Sequence, residues 1–160
     1  MTRQGTQMKK LNLEKRPLQR YEALEAMEAE KLLLDYAAGE RDFRWLNLRQ
    51  IELVEVNLSG VNLAMTNLSG ANLAWADLSQ ANLSGADLSR AKLSQANLQG
   101  ANLQGANLSR AVLRGTKLGH ANLRGAKLAG ANLAGAELEG AKLLEADWTK
   151  ATLPDGTLID

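Results

Sequence analysis

The chain places a large apolar residue at every fifth position from residue 43 to residue 158. Polar and small residues fill the positions between them, as in the stretch AKLSQANLQGANLQGANLSR at residues 91–110. We call the apolar positions central positions, and 24 of them follow one another without a gap. An alanine usually stands two residues before the central one, as Ala71 and Ala101 do. A predicted fold has to explain this period of five.

Neither a helix nor a straight strand places residues five apart on one face. In a helix of 3.6 residues per turn, five residues advance by about 140° beyond a full turn. In a strand, side chains alternate, so an odd spacing sends successive central residues to opposite faces. The pattern fits a chain that turns a corner within every pentapeptide, because each central residue and the small residue before it then point inward. The sequence therefore predicts a solenoid.

The pentapeptides themselves resemble a known family. Their form A(N/D)LxG, present as ANLSG, ADLSQ, ADLSR, ANLQG and ANLRG, resembles the pentapeptide-repeat family over residues 43–158. The flanking stretches LLLDYAAGERDF and TLPDGTLID resemble the ends of bacterial members, especially cyanobacterial ones. The resemblance implies an all-β solenoid, a right-handed quadrilateral parallel β-helix of about six coils with 20 residues in each.

In such a solenoid, residues 20 apart form columns along the coil axis, with parallel ladders about 4.8 Å apart. One column of central residues should form a core ladder, which consists of Phe43, Leu63, Leu83, Leu103, Leu123 and Leu143.

The segment before the repeats predicts a helix that covers the first coil. Pro17 suits the first helical position and Gly39 can end the helix. One side of the helical wheel is apolar, and its residues are Leu18, Tyr21, Ala29, Leu32, Leu33 and Tyr36. Other apolar residues, such as Leu34, suggest a second contact, either with another subunit or with the preceding segment. We therefore divide the chain into three parts: a basic N-terminus (1–16), a capping helix (17–40) and the repeat β-helix (41–160).

Composition narrows the class of protein. Hydrophobic residues make up 45% of the 160 residues but aromatic ones only 4%, so the core must be built from Leu and Ala. Cysteine is absent, which excludes disulfides and thiolate sites. No apolar run is long enough for a signal peptide or a membrane span. We expect a cytoplasmic protein.

Residues for catalysis are missing from the pattern. His120 is the single histidine and occupies an outward position. Asp77 and Asp87 precede central residues on different sides of the coil, so they do not form a catalytic carboxylate pair. The glycines lie at repeat corners and lack the strand-then-helix context of a phosphate-binding loop. We expect no enzymatic activity, no cofactor, no metal and no small-molecule substrate.

Charge is distributed unevenly along the repeats, although the net charge is only +1. Seven basic residues lie between Asp87 and Glu137, with no acidic residue among them, whereas the C-terminal end is acidic. We call this region the basic waist. Five of its residues are candidates for partner binding because they share columns or neighbouring sides: Arg90, Lys92, Arg110, Arg114 and Lys127. The alternative is a solvated surface that meets only water.

Two further surface features bear on a partner. Trp75 points outward and could anchor a protein partner. Trp45 and Met65 share an outward column near the N-terminus, and we expect the capping helix to cover them.

A non-enzymatic protein-binding or scaffold module is the leading hypothesis, because the repeat is unbroken and no catalytic set is present. The resemblance implies a second hypothesis: some family members imitate duplex DNA and regulate type II topoisomerases, which requires an acidic surface that the basic waist does not provide. A third is weak nucleic-acid binding through the basic waist, which the low net charge disfavours. A homodimer through an end of the solenoid is a further arrangement that the resemblance allows.

Overall fold

The structure, a computed structural model, describes residues 29–160. From residue 42 to residue 152 the backbone pairs with itself at a spacing of 20 residues. Nineteen parallel bridges, from Asp42–Asn62 to Asn132–Thr152, join each residue that precedes a central position to its equivalent in the next coil. Backbone hydrogen bonds flank each bridge: at the first, the Phe43 N–H donates to the Asn62 carbonyl and the Asn62 N–H donates to the Arg41 carbonyl. The chain therefore forms stacked coils, each paired with the coil before and the coil after it.

The sides of these coils are short. In residues 29–160 the pairing consists of isolated bridges, and no extended strand is present. The reason is that a turn takes up two of every five residues, which leaves a single paired residue on each side. In the described residues, the coils of the predicted all-β solenoid are thus paired by single-residue bridges and not by extended strands.

Each corner of a coil depends on one residue in the left-handed backbone region. All 22 positions that lie two residues after a central position, from Trp45 to Lys150, have positive φ. Ten of them are glycine and twelve are not. Left-handed backbone costs an L-residue about 1–2 kcal/mol, so the twelve other residues are held there at a cost. Four such turns in every 20 residues give each coil four sides.

Leucine and alanine fill the interior of the coils. Every central leucine from Leu53 to Leu133 is fully buried. In the predicted core ladder the first five residues are buried, whereas Leu143 is only half-buried because no described coil packs on its C-terminal side. Thr116 takes the place of an alanine, and its Oγ1 donates a hydrogen bond of 2.8 Å to the Leu93 carbonyl.

A helix precedes the coils and packs against them. Its described part covers residues 29–37, and residues 17–28 of the predicted capping helix lie outside the described residues. Gly39, with φ of 104°, ends the helix, and the Glu40 N–H donates to the Asp35 carbonyl. Leu32 is buried in the hydrophobic core. No helix within residues 29–160 is long and apolar enough to cross a membrane.

The coil pattern ends before the last predicted central position. Beyond Thr152 the chain reverses, and Thr152 pairs with Leu158 in an antiparallel bridge. A turn at Pro154 and left-handed backbone at Gly156, with φ of 88°, produce the reversal. Leu158 is consequently 62% exposed rather than buried.

Candidate binding surface

One side of the stack carries an open groove. Its central residues are Leu48, Leu68, Leu88, Leu108 and Leu128, and we call this side the arginine face. The groove has a volume of about 630 Å³. Its floor follows the column one residue after the central positions, where the side chains are small: Ser69, Ser89, Ser109 and Ala129. Small side chains in a column make this part of the surface concave.

Arginines border the groove. Arg90 and Arg110 line it from adjacent coils, and Arg49 lines it nearer the N-terminal end. Because Arg90 and Arg110 occupy the same turn column, their backbones are one coil apart, about 4.8 Å. The structure therefore brings together two predicted residues, Arg90 and Arg110, with Arg49, which the sequence analysis missed. The signal was available, since Arg49 is in the column of Ser69, Ser89 and Ser109.

The positive charge of the groove is not neutralised by ion pairs. Within residues 29–160 the ion pairs are Lys31–Asp35 and Arg44–Asp42, and neither includes an arginine of the groove. Asp87 is the acidic residue in the lining. Its Oδ1 accepts hydrogen bonds from the Ser89 N–H, at 3.0 Å, and from the Asn107 Nδ2, at 3.2 Å. The Asp87 carboxylate thus stabilises the turn and the stacking of the coils.

The other predicted partner-binding residues lie outside this groove. Lys92 and Arg114 are exposed on the next side of the coil. Lys127 is on the arginine face, and its backbone pairs with that of Asp147 in the next coil. Hydrogen bonds from Thr149 hold the pKa of Asp147 below its ordinary value, and the charge of Lys127 lowers it further. Lys127 therefore already has an acidic neighbour.

The large apolar side chains on the surface divide into two groups. Trp45 and Met65 are 69% and 47% exposed, so the described part of the helix does not cover them as expected. They occupy the turn column that directly precedes the arginine face. Trp75 is 61% exposed and stands at a different corner, after Leu73. Trp45 and Met65 therefore stand at the corner of the arginine face opposite Arg90 and Arg110, whereas Trp75 is off that face, and none of the three lines the groove.

A second, smaller groove contains His120. It has a volume of about 390 Å³ and includes Lys117, Glu137 and Glu139. The His120 ring packs on Gly140 of the next coil. In the part of the chain that the structure describes, no group of three His, Cys, Asp or Glu residues is placed to hold a metal ion.

Comparison with known proteins connects this geometry to a family. The family model described as pentapeptide repeats matches residues 42–73, 71–110, 106–143 and 131–156. The chain belongs to the pentapeptide repeat family. Structures of pentapeptide repeat proteins are right-handed quadrilateral β-helices, in agreement with the four-sided coils described above. No protein with a curated description matches the sequence.

Solved structures of pentapeptide repeat proteins are similar to this chain. One from the thylakoid lumen of Arabidopsis thaliana is 34% identical, with 64% of this chain and 71% of that chain covered and a TM-score of 0.59. Rfr23 of the cyanobacterium Cyanothece is 32% identical, with 82% and 100% covered and a TM-score of 0.39. QnrB1, a plasmid-mediated fluoroquinolone resistance protein, is 20% identical, with 74% and 75% covered and a TM-score of 0.30.

Proposed function

We propose that this protein is a non-enzymatic binding module that holds another protein on its arginine face. One observation carries the proposal: Arg49, Arg90 and Arg110 border a groove with a floor of small side chains, and none of them forms an ion pair with a described carboxylate. Stacked like charges repel one another. An anionic group in the groove would relieve that repulsion and form charge-assisted hydrogen bonds with the guanidinium groups.

The regular backbone supports this role. Because each coil is hydrogen-bonded to its neighbours, the positions of side chains in a column are set by the stack. In residues 29–160 no buried side-chain nitrogen or oxygen lacks a hydrogen-bond partner. A surface that is ordered before binding loses less conformational entropy when a partner arrives. The fold thus suits presentation of charges at fixed spacing.

Regulation of a type II topoisomerase by imitation of DNA is the alternative that the family suggests. Imitation of DNA needs a strongly acidic surface, whereas the groove here is bordered by arginines. An assay of DNA supercoiling tests this alternative, and inhibition at low micromolar protein would favour it over our proposal.

We infer that the N-terminal helix caps the first coil. In later coils, a carbonyl in the position of the Ser59 carbonyl accepts a backbone N–H from the preceding coil, as the Ser79 carbonyl accepts the Gly60 N–H. The Tyr36 hydroxyl donates to the Ser59 carbonyl instead, at 2.8 Å. The helix therefore supplies a donor where no earlier coil exists.

A cytoplasmic location and a homodimer through an end of the stack stay predictions, and one similar protein comes from the thylakoid lumen.

A crosslinked pull-down from the native host tests the proposed function. The variant Arg90→Glu/Arg110→Glu reverses two charges at the groove. Its control, Arg124→Glu/Lys142→Glu, makes the same change in charge on another side of the coils. We expect one protein to be enriched by the wild type and by the control, and to be lost with the groove variant. Enrichment that survives in the groove variant, or no enrichment with any of the three, would overturn the proposal.

A further inference from the structure

We propose that the partner of the arginine face is an acidic polypeptide segment with a hydrophobic anchor. The anchor contacts Trp45 and Met65, and the carboxylates of the segment contact Arg90 and Arg110. This inference rests on the proposed function and specifies the chemistry of the partner.

The backbone at Trp45 and Met65 is the first reason. Both residues have left-handed φ, 65° and 60°, at turn positions where glycine is free of strain. Both side chains are exposed, so the core gains little from them in return. Large apolar side chains that cost backbone energy and stay outside the core are candidates for contact with another molecule, and Trp75, with φ of 61°, is a third such residue.

The place of this pair is the second reason. Trp45 and Met65 stand in adjacent coils of one turn column, at the edge where the chain enters the arginine face. The Met65 side chain extends over Gly85 of the third coil, so the apolar surface continues along the coil axis. A single segment lying on the arginine face can therefore contact the apolar pair and the groove together.

The spacing along the coil axis sets the size of the segment. Trp45 and Met65 belong to the first and second coils, whereas Arg90 and Arg110 belong to the third and fourth. The centres of the two pairs are thus two coils apart, about 10 Å at 4.8 Å per coil. An extended polypeptide rises by about 3.3 Å per residue, so the anchor and the carboxylates are separated by at least about three residues.

The charges of the face favour a polypeptide over a nucleic acid. A nucleic-acid strand presents a phosphate at every nucleotide and needs a continuous row of positive charge. Here Asp87 lines the groove and Asp147 lies farther along the same face. Carboxylates at chosen positions can pair with Arg90 and Arg110 in bidentate fashion and leave the acidic residues of the face without a like charge opposite them.

Selection from a displayed library of random twelve-residue peptides tests the inference, with the full chain as the immobilised target. We expect the enriched peptides to share an aromatic or large aliphatic residue and, at least about three residues away, a cluster of Asp or Glu. A fluorescein-labelled copy of the most enriched peptide then serves as the probe in fluorescence anisotropy.

Three variants separate the two halves of the contact. We expect Arg90→Glu/Arg110→Glu and Trp45→Gly/Met65→Gly each to weaken binding of the probe at least tenfold. Trp75→Gly removes an equally exposed tryptophan from another corner and should leave binding unchanged. Each substitution by glycine relieves left-handed strain, so the melting temperature should stay the same or rise. Loss of binding in the Trp45→Gly/Met65→Gly variant would then not reflect unfolding.

The outcomes that contradict the inference differ from those that contradict the proposed function. Acidic probes that bind equally to the wild type and to Trp45→Gly/Met65→Gly, but not to the arginine variant, would overturn the anchor and leave the proposed function standing. Binding that survives Arg90→Glu/Arg110→Glu would overturn both. Failure to enrich any acidic peptide, or tighter binding of a 20-nucleotide oligo(dT) than of the probe, would also overturn the inference.

Discussion

The side-chain amide of Gln80 lies on Gly100, its neighbour in the next coil of the same turn column. A Cβ atom on Gly100 would clash with the Gln80 Nε2. The same clash would occur in three other pairs, namely Met65 with Gly85, Gln95 with Gly115 and His120 with Gly140. Glycine at these corners therefore serves the backbone and also makes room for the side chain of the preceding coil.

A pair of substitutions separates these two roles of glycine. Gly100→Ala and Gly105→Ala change residues with nearly the same φ, 67° and 66°, but a Cβ on Gly105 meets nothing within 4 Å. We expect both to lower the free energy of unfolding by about 1–2 kcal/mol because the backbone is left-handed. Gly100→Ala should cost more and should shift the NMR signals of the Gln80 amide. Equal unfolding midpoints in urea and unchanged Gln80 signals would show that the side chain does not press on Gly100.

Truncation of a central leucine tests which positions point inward. Leu103 is fully buried, so Leu103→Ala should lower the free energy of unfolding by about 2–5 kcal/mol through loss of packing. Ser109→Ala changes an outward position and should remain within about 0.5 kcal/mol of the wild type. Denaturation in urea, followed by circular dichroism, measures both. Similar losses in the two variants would refute the assignment of inward and outward positions.

Strain at the corners predicts a stabilising substitution. Glu145 has φ of 62° and is exposed, so Glu145→Gly should raise the free energy of unfolding by up to about 1 kcal/mol. Glu139→Gly makes the same chemical change one residue earlier in its pentapeptide, where φ is not positive. That control should be destabilised by about 0.5–1 kcal/mol because glycine gains entropy in the unfolded chain. Melting temperatures in the opposite order would contradict this explanation of the corners.

Deletion of a single oxygen atom removes the capping contact of Tyr36. Tyr36→Phe deletes the hydroxyl that donates to the Ser59 carbonyl, at a cost of about 1 kcal/mol. Hydrogen exchange should accelerate for the amides of residues 29–37 and stay unchanged in the middle coils. Leu34→Ala, at an exposed position of the same helix, serves as the control. If the helix amides exchange at the wild-type rate in Tyr36→Phe, the hydroxyl does not hold the helix on the coil.

The hydrogen bonds to Asp147 predict a dependence on pH. The Asp147 Oδ1 accepts hydrogen bonds from the Thr149 hydroxyl, at 2.7 Å, and from the Thr149 N–H, at 3.0 Å. These hydrogen bonds lower the pKa of Asp147 in the folded protein. A group with a lowered folded pKa contributes stability above its unfolded pKa, which is about 4 for Asp, and the contribution is lost as the pH falls through the folded pKa.

Thr149→Ala should therefore raise the pKa of Asp147 toward its ordinary value and leave the pKa of Asp155 unchanged. Asp155 is a matched control because its pKa is lowered in the same way, by hydrogen bonds from Thr157. Titration of the carboxyl carbons by NMR from pH 2 to pH 6 measures both groups. An unchanged Asp147 in the variant would exclude the Thr149 hydroxyl as the cause.

Much of the fold follows from the period of five, because that period excludes regular helices and strands and assigns the inward positions. The same period leaves room for one paired residue between corners, so the coils pair through single bridges and not through extended strands. The end of the ladder was missed at Leu158. Its spacing continues the repeat, but the turn at Pro154 and Gly156 reverses the chain, and a count of apolar residues does not detect a change of direction.

The candidate site was predicted in part. Reasoning by columns placed Arg90 and Arg110 together, as the structure does. Arg49 was missed because the prediction was based on a run of basic residues that are near one another in sequence. A groove along the coil axis instead brings together residues that are 20 apart and residues of adjacent columns. Trp45 and Met65 were expected to be covered by the capping helix, and the described part of that helix, residues 29–37, leaves both exposed.

Because paired residues are always 20 apart, the number of residues between two positions determines which sides of the coil they occupy. Removal of one pentapeptide, residues 71–75 for example, would preserve the alternation of inward and outward positions and turn everything after it by a quarter of a coil. Arg90 and Arg110 would then leave the turn column of Gln50 and Gly70 and join that of Trp45 and Met65, with the interior still filled. An insertion or deletion of five residues can therefore redirect a binding face while the core remains intact.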